Sequence, residues 1–152
     1  MGTLETGKAR PRVTIYTDGA CDPNPGPGGW AALLQSNNAE KVLTGSEPAT
    51  TNNRMELTAA INALQALKEP CLVNFYTDSE YLQRGITEWL PGWRKRNWRR
   101  KTGSLANADL WQALDEVIQL HDIHWNWVRG HAGNPANQRV DYLAKAAIKK
   151  GN

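Results

Sequence analysis

Two runs of β-branched and aromatic residues, each ending in Thr-Asp, predict two central strands of the same design. The first starts at Val13 and stops at Asp18, and the second runs from Leu72 to Asp78. Strands this apolar are normally buried, and a parallel pair would open both carboxyl ends at one edge of a sheet. We therefore expect Asp18 and Asp78 to lie side by side, where their repulsion requires a cation or a shared proton. Each aspartate taken alone is also typical of a turn or a helix start.

The other hydrophobic patterns predict three more strands and four helices. Alternation predicts strands over residues 30–35, 41–45 and 123–127, with a hairpin turn at Asn37-Asn38 between the first two. The Pro/Gly-rich stretch 21–29 is interpreted as a loop or a tight turn. Helical spacing predicts helices from Asn53 toward Pro70, from Ser79 to Thr87, after Asn107, and over a last stretch that buries Val140, Leu143, Ala144 and Ala147.

This order, β-β-β-α-β-α-α-β-α, predicts an α/β fold with one mixed five-stranded sheet. Three antiparallel strands come first, and parallel crossovers then add strands four and five, with helices on the flanks. Residues 1–11 are polar and are predicted to be a disordered lead-in, and residues 12–150 are predicted to form one domain. The first strand would then have one antiparallel and one parallel neighbour, where crevices form at carboxyl ends.

Two further acids can reach this crevice. Glu56 lies in the first turn of its helix and borders the apolar stripe, although a capping box with Asn53 would also explain it. Asp141 lies in the first half of the last helix, where an ordinary surface or helix-dipole acid is the alternative. Converging carboxylates without His or Cys ligands suit Mg²⁺ or Mn²⁺. Two such ions about 4 Å apart favour phosphodiester chemistry, with Asp18 bridging them.

A basic, tryptophan-rich segment covers residues 89–101, and we call it the basic segment. Charge interleaved with aromatic rings suggests contact with phosphates and sugars, while a solvated face with inward tryptophans is the alternative. The charges and rings of the basic segment are Arg94, Lys95, Arg96, Arg99, Arg100, Lys101, Trp89, Trp93 and Trp98.

Farther on, His131 lies in a glycine-flanked loop. There it is either a proton-transfer or phosphate-contact residue or a plain surface residue.

Composition narrows the class of protein further. The 152 residues carry a net charge of +3 with a pI near 9.0, and the excess is concentrated in the basic segment, which favours a polyanionic partner. Cys21 and Cys71 have no metal-type spacing, so we expect reduced thiols in a cytoplasmic protein. No apolar run has the length of a signal peptide core or a membrane span, and we expect no membrane partner.

Short motifs follow one another in a specific order: Thr17-Asp18-Gly19, Asn24-Pro25-Gly26-Pro27-Gly28-Gly29, Thr51-Asn52-Asn53-Arg54-Met55-Glu56-Leu57, Thr77-Asp78-Ser79, Trp127-Val128-Arg129-Gly130-His131-Ala132-Gly133 and Asp141. From about Arg12 to the last helix, this set closely resembles bacterial type 1 ribonuclease H. The resemblance implies a ribonuclease H-like fold and Mg²⁺-dependent endonucleolytic cleavage of the RNA strand of an RNA/DNA hybrid, leaving 3′-hydroxyl and 5′-phosphate ends. We expect a monomer that takes two ions per active site with substrate.

The resemblance also implies roles for single residues. Asp18, Glu56, Asp78 and Asp141 would hold the metals, and His131 would assist proton transfer or product release. The basic segment, including Arg94, Lys95 and Arg96, would grip the hybrid. Substrate contacts are implied for Tyr81 and Trp93 in a channel for the DNA strand, for Thr51 and Asn107 in a pocket for a DNA phosphate, and for Cys21, Asn24 and Asn52 near the minor groove, where 2′-hydroxyls distinguish RNA from DNA.

Two positions depart from the pattern of the family. Ala49 stands where some relatives have an arginine in the phosphate pocket, and Glu80 replaces a neutral residue beside Asp78. Two competing functions are a related nuclease-fold enzyme that acts on DNA, such as a junction resolvase or an integrase-like domain, and an inactive hybrid-binding module. The basic segment and the Asn-Asn-Arg-Met-Glu motif argue against the first, and the intact acids argue against the second.

Overall fold

The computed structural model describes residues 10–98, 105–129 and 134–151. Within these ranges the chain forms one sheet of five strands in the order β3-β2-β1-β4-β5. Strand β1 pairs antiparallel with β2 and parallel with β4, β2 pairs antiparallel with β3, and β4 pairs parallel with β5. The predicted mixed sheet is therefore confirmed. The strands are β1 (Arg12–Cys21), β2 (Gly26–Ser36), β3 (Ala39–Thr50), β4 (Leu72–Thr77) and β5 (Asp122–Trp127).

Helices cover both faces of this sheet. The connection after β4 is a run of helix in which one π-helical turn, Gly85–Trp89, separates two short α-helices. The α-helices in the described part of the chain are α1 (Asn52–Gln65), α2 (Glu80–Arg84), α3 (Leu90–Lys95), α4 (Ala108–Ile118) and α5 (Pro135–Gly151). None of the described helices is long and apolar enough to cross a membrane.

Alternation along the strands divides the core in two. Ile15, Val73 and Phe75 point to the face covered by α1 and α4, where Trp111 is fully buried. Ala31, Leu33, Val140 and Ala144 form a smaller cluster under α5 on the opposite face. The sheet is thus the middle layer, and α1 and α5 approach β1 from opposite sides.

Several predicted boundaries were wrong. Strand β3 runs from Ala39 to Thr50 and not only over 41–45, because β2 pairs with it along this length. Strand β1 does not stop at Asp18 but continues to Cys21, because β2 pairs with it as far as Cys21 and Gly28. The stretch 21–29 is correspondingly shorter as a loop, since β2 already begins at Gly26. The helix predicted from Ser79 to Thr87 continues through the π-helical turn to Lys95, because tryptophan packing against α4 extends the buried face beyond the local pattern.

The chain before β1 is only partly described. Residues 1–9 of the predicted lead-in lie outside the described ranges. Pro11, its last residue, accepts a hydrogen bond of 2.8 Å from the backbone N–H of Leu72 at the start of β4. Pro11 is therefore attached to the start of β4 by its backbone.

Candidate active site

Asp18 and Asp78 meet where the pairing of the sheet changes direction. The parallel register of β1 with β4 ends at Tyr16 and Tyr76, and Asp78 directly follows β4. Strand β1 continues beyond this point with β2 as its partner, so Asp18 lies beside the open end of β4. This is the crevice expected between an antiparallel and a parallel neighbour. Asp18 is only 7% exposed.

Glu56 reaches the same place because α1 approaches β1 very closely. A Cβ atom at Gly19 would lie 2.5 Å from the backbone nitrogen of Glu56, so only glycine permits this approach. The capping box of Asn53 with Glu56 is not present. Thr51 is the N-cap, and its hydroxyl accepts a hydrogen bond of 3.1 Å from the N–H of Arg54. The Glu56 side chain thus extends toward the sheet.

Asp18, Glu56 and Asp78 form what we call the carboxylate cluster. One carboxylate oxygen from each lies within 4.8 Å of the other two. Asp141, from the first half of α5, lines the same cleft of about 740 Å³ as Asp18 and Glu56. Its carboxylate is 3.1 Å from the ammonium of Lys145 and also hydrogen bonds to Asp18. The structure therefore brings together all four acids proposed from the sequence.

The pKa values of two acids of the cluster are raised. Burial raises the pKa of Asp18 to about 8, and repulsion from Asp78 and Glu56 acts in the same direction, while the N–H of Gly19 opposes the shift. Burial also raises the pKa of Glu56 to about 7, with repulsion from Asp78 adding to it and a hydrogen bond with Ser79 opposing it. The protein thus holds these groups where ionisation is unfavourable without a cation.

These residues fit a hard divalent cation. The three converging ligand atoms are all carboxylate oxygens, which is the donor type that Mg²⁺ and Mn²⁺ prefer. Burial and repulsion raise the pKa values of Asp18 and Glu56, and a divalent cation bound here would favour their ionised forms. The sheet, α1 and α5 would each contribute ligands.

A second cleft lies on the other side of Asp78. It has a volume of about 520 Å³ and is lined also by Thr77, Glu80, Gln83 and Arg129. Glu80, the departure noted in the sequence, is exposed here beside the carboxylate cluster.

His131 lies outside the described residues, so its predicted role stays a prediction.

Three predicted minor-groove residues come together at the rim of the first cleft. The side-chain oxygen of Asn24 accepts a hydrogen bond of 3.1 Å from the backbone N–H of Asn52, which ties the loop after β1 to the start of α1. The Cys21 thiol lies 3.5 Å from the carbonyl oxygen of Thr50. The side-chain amide of Asn52 is in turn 3.5 Å from Glu56. This group therefore adjoins the carboxylates.

The predicted phosphate pocket contains a residue that sequence reasoning missed. Arg54 donates from its guanidinium to the side-chain oxygen of Asn107 at 3.2 Å and forms an ion pair of 2.9 Å with Asp109. Its backbone N–H is bonded to Thr51, and Asn107 in turn donates to the hydroxyl of Tyr81 at 2.9 Å. Arg54 thus connects Thr51, Asn107 and Tyr81. Its place three residues after the capping threonine is the signal that could have identified it.

The basic segment combines both interpretations that its composition allowed. Trp93 is buried, at 8% exposure, and packs on Trp111 with a centroid distance of 5.4 Å. One edge of Trp93 still lines a shallow groove with Tyr81 and Trp89. Lys95 and Arg96 are exposed, whereas the guanidinium of Arg94 contacts Asp115. Residues 99–101 lie outside the described part of the chain.

Comparison with known proteins identifies the relatives of the chain. The RNase H family model matches residues 10–149. The Ribonuclease H of Chelativorans sp. (strain BNC1) is 59% identical over 138 residues, which cover 90% of this chain and 85% of that protein.

Solved structures show the same architecture. LC9-RNase H1, a type 1 RNase H with the type 2 active-site motif, superimposes with a TM-score of 0.86 at 34% identity over 95% of this chain and 75% of that one. LC11-RNase H1 in complex with an RNA/DNA hybrid superimposes with a TM-score of 0.71 at 22% identity, covering 91% of this chain and 98% of that one. The second likeness shows the fold alone.

Proposed function

Because the chain belongs to the ribonuclease H family, we propose that it is an endonuclease that hydrolyses the RNA strand of RNA/DNA hybrids with two divalent ions, normally Mg²⁺. The single observation that carries the chemistry is the carboxylate cluster, whose oxygens from Asp18, Glu56 and Asp78 lie within 4.8 Å of one another at the sheet crevice. A site of this kind suits phosphate oxygens and metal-assisted hydrolysis.

The ligands are proposed to be Asp18, Glu56, Asp78 and Asp141. Asp18 is the most central of the four and would be a ligand to both ions. When bound, two ions in this position would activate a water molecule and stabilise the leaving oxygen of the scissile phosphodiester. The water oxygen would bond to phosphorus and lose a proton, while the bond to the 3′-oxygen breaks and that oxygen takes up a proton, which leaves a 5′-phosphate and a 3′-hydroxyl end.

The remaining residues of the proposal bind and orient the hybrid. Cys21, Asn24 and Asn52 lie next to the carboxylates, where they can contact 2′-hydroxyls on the minor-groove side. Thr51 and Asn107, linked by Arg54, are proposed to hold a DNA phosphate. Tyr81 and the edge of Trp93 supply an aromatic surface for the DNA strand. His131 is proposed to move a proton or release product.

The proposed contacts to sugars and phosphates favour the hybrid as substrate. Contacts to sugar and phosphate select by shape and by the 2′-hydroxyl instead of by base sequence. LC11-RNase H1, with the same fold, was solved with an RNA/DNA hybrid, which supports the proposal. The monomeric state and the cytoplasmic location stay predictions from the sequence.

The test is a substrate panel. An end-labelled RNA/DNA hybrid, duplex DNA and duplex RNA are incubated with the protein, each with and without Mg²⁺, and products are sized on denaturing gels. We expect cleavage of the RNA strand of the hybrid alone, only with Mg²⁺, and products with 3′-hydroxyl ends that a polymerase extends. Equal cleavage of duplex DNA, or binding without cleavage, would overturn the proposal.

A further inference from the structure

Helix α3 of the basic segment is joined to α4 at two neighbouring side chains. Trp93 packs on Trp111, and Arg94 reaches Asp115 one helical turn farther along α4. The Nε of Arg94 donates to Oδ1 of Asp115 at 2.9 Å, and its Nη2 contacts the same oxygen. The two contacts together fix both the position and the rotation of α3.

Asp115 is a buried acid that depends on this contact. It is 7% exposed and accepts a second hydrogen bond of 3.2 Å from the side-chain amide of Gln119. A buried carboxylate has lost its hydration, and loss of its charged partner is strongly unfavourable. The charge of Arg94 is already balanced by Asp115, so Arg94 contributes less positive charge to a phosphate of the hybrid than a basic residue without an anionic partner.

The next residue has a different environment. Lys95 follows Arg94 on the same helix and is exposed, so its ammonium can reach a phosphate without loss of a buried partner. A fixed α3 would hold this charge, and the edge of Trp93, in a constant place relative to Tyr81. Both residues are thus exposed to solvent, but Arg94 is paired with a buried carboxylate.

We propose that Arg94 and Asp115 are a positioning pair that holds the basic segment on α4, and that Arg94 does not itself contact phosphate. The proposal rests on the function proposed above, since it concerns how the hybrid is gripped. It separates Arg94 from Lys95, which the composition of the segment had grouped together. Lys95 is, among the described residues of the segment, one that neutralises backbone charge.

Salt dependence of binding tells the two roles apart. A residue that neutralises one phosphate contributes about one unit to the slope of log K against log salt, whereas a positioning residue changes affinity without changing this slope. We would measure binding of a labelled RNA/DNA hybrid in EDTA over a range of NaCl concentrations. The proteins are wild type, R94Q, D115A, K95Q and the control K41Q, which removes one exposed charge on β3.

The decisive variant is D115A, for which the two roles predict opposite signs. A positioning pair predicts weaker binding, by about threefold to tenfold, with an unchanged slope, and the same result for R94Q. The double variant R94Q/D115A should be no weaker than either single one. If Arg94 contacts phosphate, D115A releases a cation and binds the hybrid more tightly, and R94Q lowers the slope by about one. K95Q should lower the slope by about one, and K41Q should match wild type.

Binding by D115A that equals or exceeds wild type would overturn the pairing role. Circular dichroism at the assay temperature checks that each variant is folded, and D115N, which keeps an oxygen acceptor without charge, replaces D115A if that variant unfolds. Failure of the wild-type protein to prefer the hybrid over duplex DNA would instead count against the proposed function.

Discussion

The carboxylate cluster and the basic segment both concentrate charged side chains, but only in the basic segment is one of these charges paired with a buried opposite charge. At the cluster, the sheet and α1 bury the acids and hold like charges together, and burial first and repulsion second raise the pKa values of Asp18 and Glu56. In the basic segment, by contrast, Arg94 is directed onto the buried Asp115 and the tryptophans pack beneath it. Like charges that the fold holds close together are typical of a catalytic site, whereas a charge paired with a buried counter-charge is typical of a structural contact. Four predictions test this difference.

The largest expected effect is at the centre of the cluster. Asp18→Asn should reduce the rate of hybrid cleavage by at least about a thousandfold, because it removes the charge proposed to bridge both ions. The thermal midpoint should not fall, since the variant also removes a buried, repelled carboxylate. Cleavage assays and thermal unfolding measure the two quantities. Asp122→Asn, at an exposed position at the start of β5, is the matched control and should cleave normally. Near-normal activity of D18N would refute the ligand assignment.

The next prediction tests the packing beneath the basic segment. A Cβ atom at Gly85, in the π-helical turn, would overlap the ring of Trp111, so Gly85→Ala should lower the free energy of unfolding by about 1–3 kcal/mol. Gly92→Ala, on α3 in the same segment, is the matched control. Its nearest contact would be the flexible guanidinium of Arg96 at 3.3 Å, so it should raise stability by about 0.5–1 kcal/mol through helix propensity. Urea unfolding measures both, and equal effects would show that the ring packing is unimportant.

A third prediction uses the raised pKa values at the cluster. A carboxyl whose pKa is higher in the folded than in the unfolded state stabilises the fold fully at low pH, and this contribution is lost as pH rises through the folded value. Without metal, wild type should therefore lose stability as pH rises from about 4, where the acids of the unfolded chain ionise, and the loss should be complete above about pH 8, where the folded Asp18 and Glu56 are ionised as well. The range to measure is its upper part, from about pH 6.5 to about pH 8.

Comparison with D18N measures the part of this loss of stability that is due to Asp18, because D18N keeps all the other titratable groups. In EDTA, wild type should lose about 3–6 °C more in thermal midpoint than D18N over that range. Addition of Mg²⁺ at pH 9 should restore the midpoint of wild type through binding to the folded state, and much less that of D18N. Parallel pH profiles of the two proteins would contradict the raised pKa of Asp18.

The smallest expected effect lies at the edge of the cluster. Glu80 is exposed in the second cleft, so its charge is screened by solvent. Glu80→Gln should lower the KM for the hybrid by about twofold at low salt, with kcat unchanged, and the gain should vanish at high salt. Steady-state kinetics at two salt concentrations measures this. A fall in kcat would instead place Glu80 in the chemistry, next to Asp78.

The sequence by itself determined the strand and helix order, the mixed sheet and the four acids. Alternating and helical periods identify elements from within a single segment, and residues such as Asp78 or Asn37 mark strand ends and turns by local chemistry. The resemblance to the family rests on the motifs around Asp18 and Glu56, which are also short contiguous stretches of sequence. These features depend on neighbours in the chain.

Only the tertiary structure decided what depends on partners far away in the chain. Strand β1 extends to Cys21 because β2 pairs with it, and the pKa of Asp18 is raised because the packed elements bury it and bring Asp78 and Glu56 beside it. Arg94 has Asp115 as its partner, across 21 residues of chain, and Arg54 joins Asn107 across 53 residues. Such contacts arise from how whole elements pack, and composition within a segment cannot distinguish a charge that meets a buried partner from one that meets solvent.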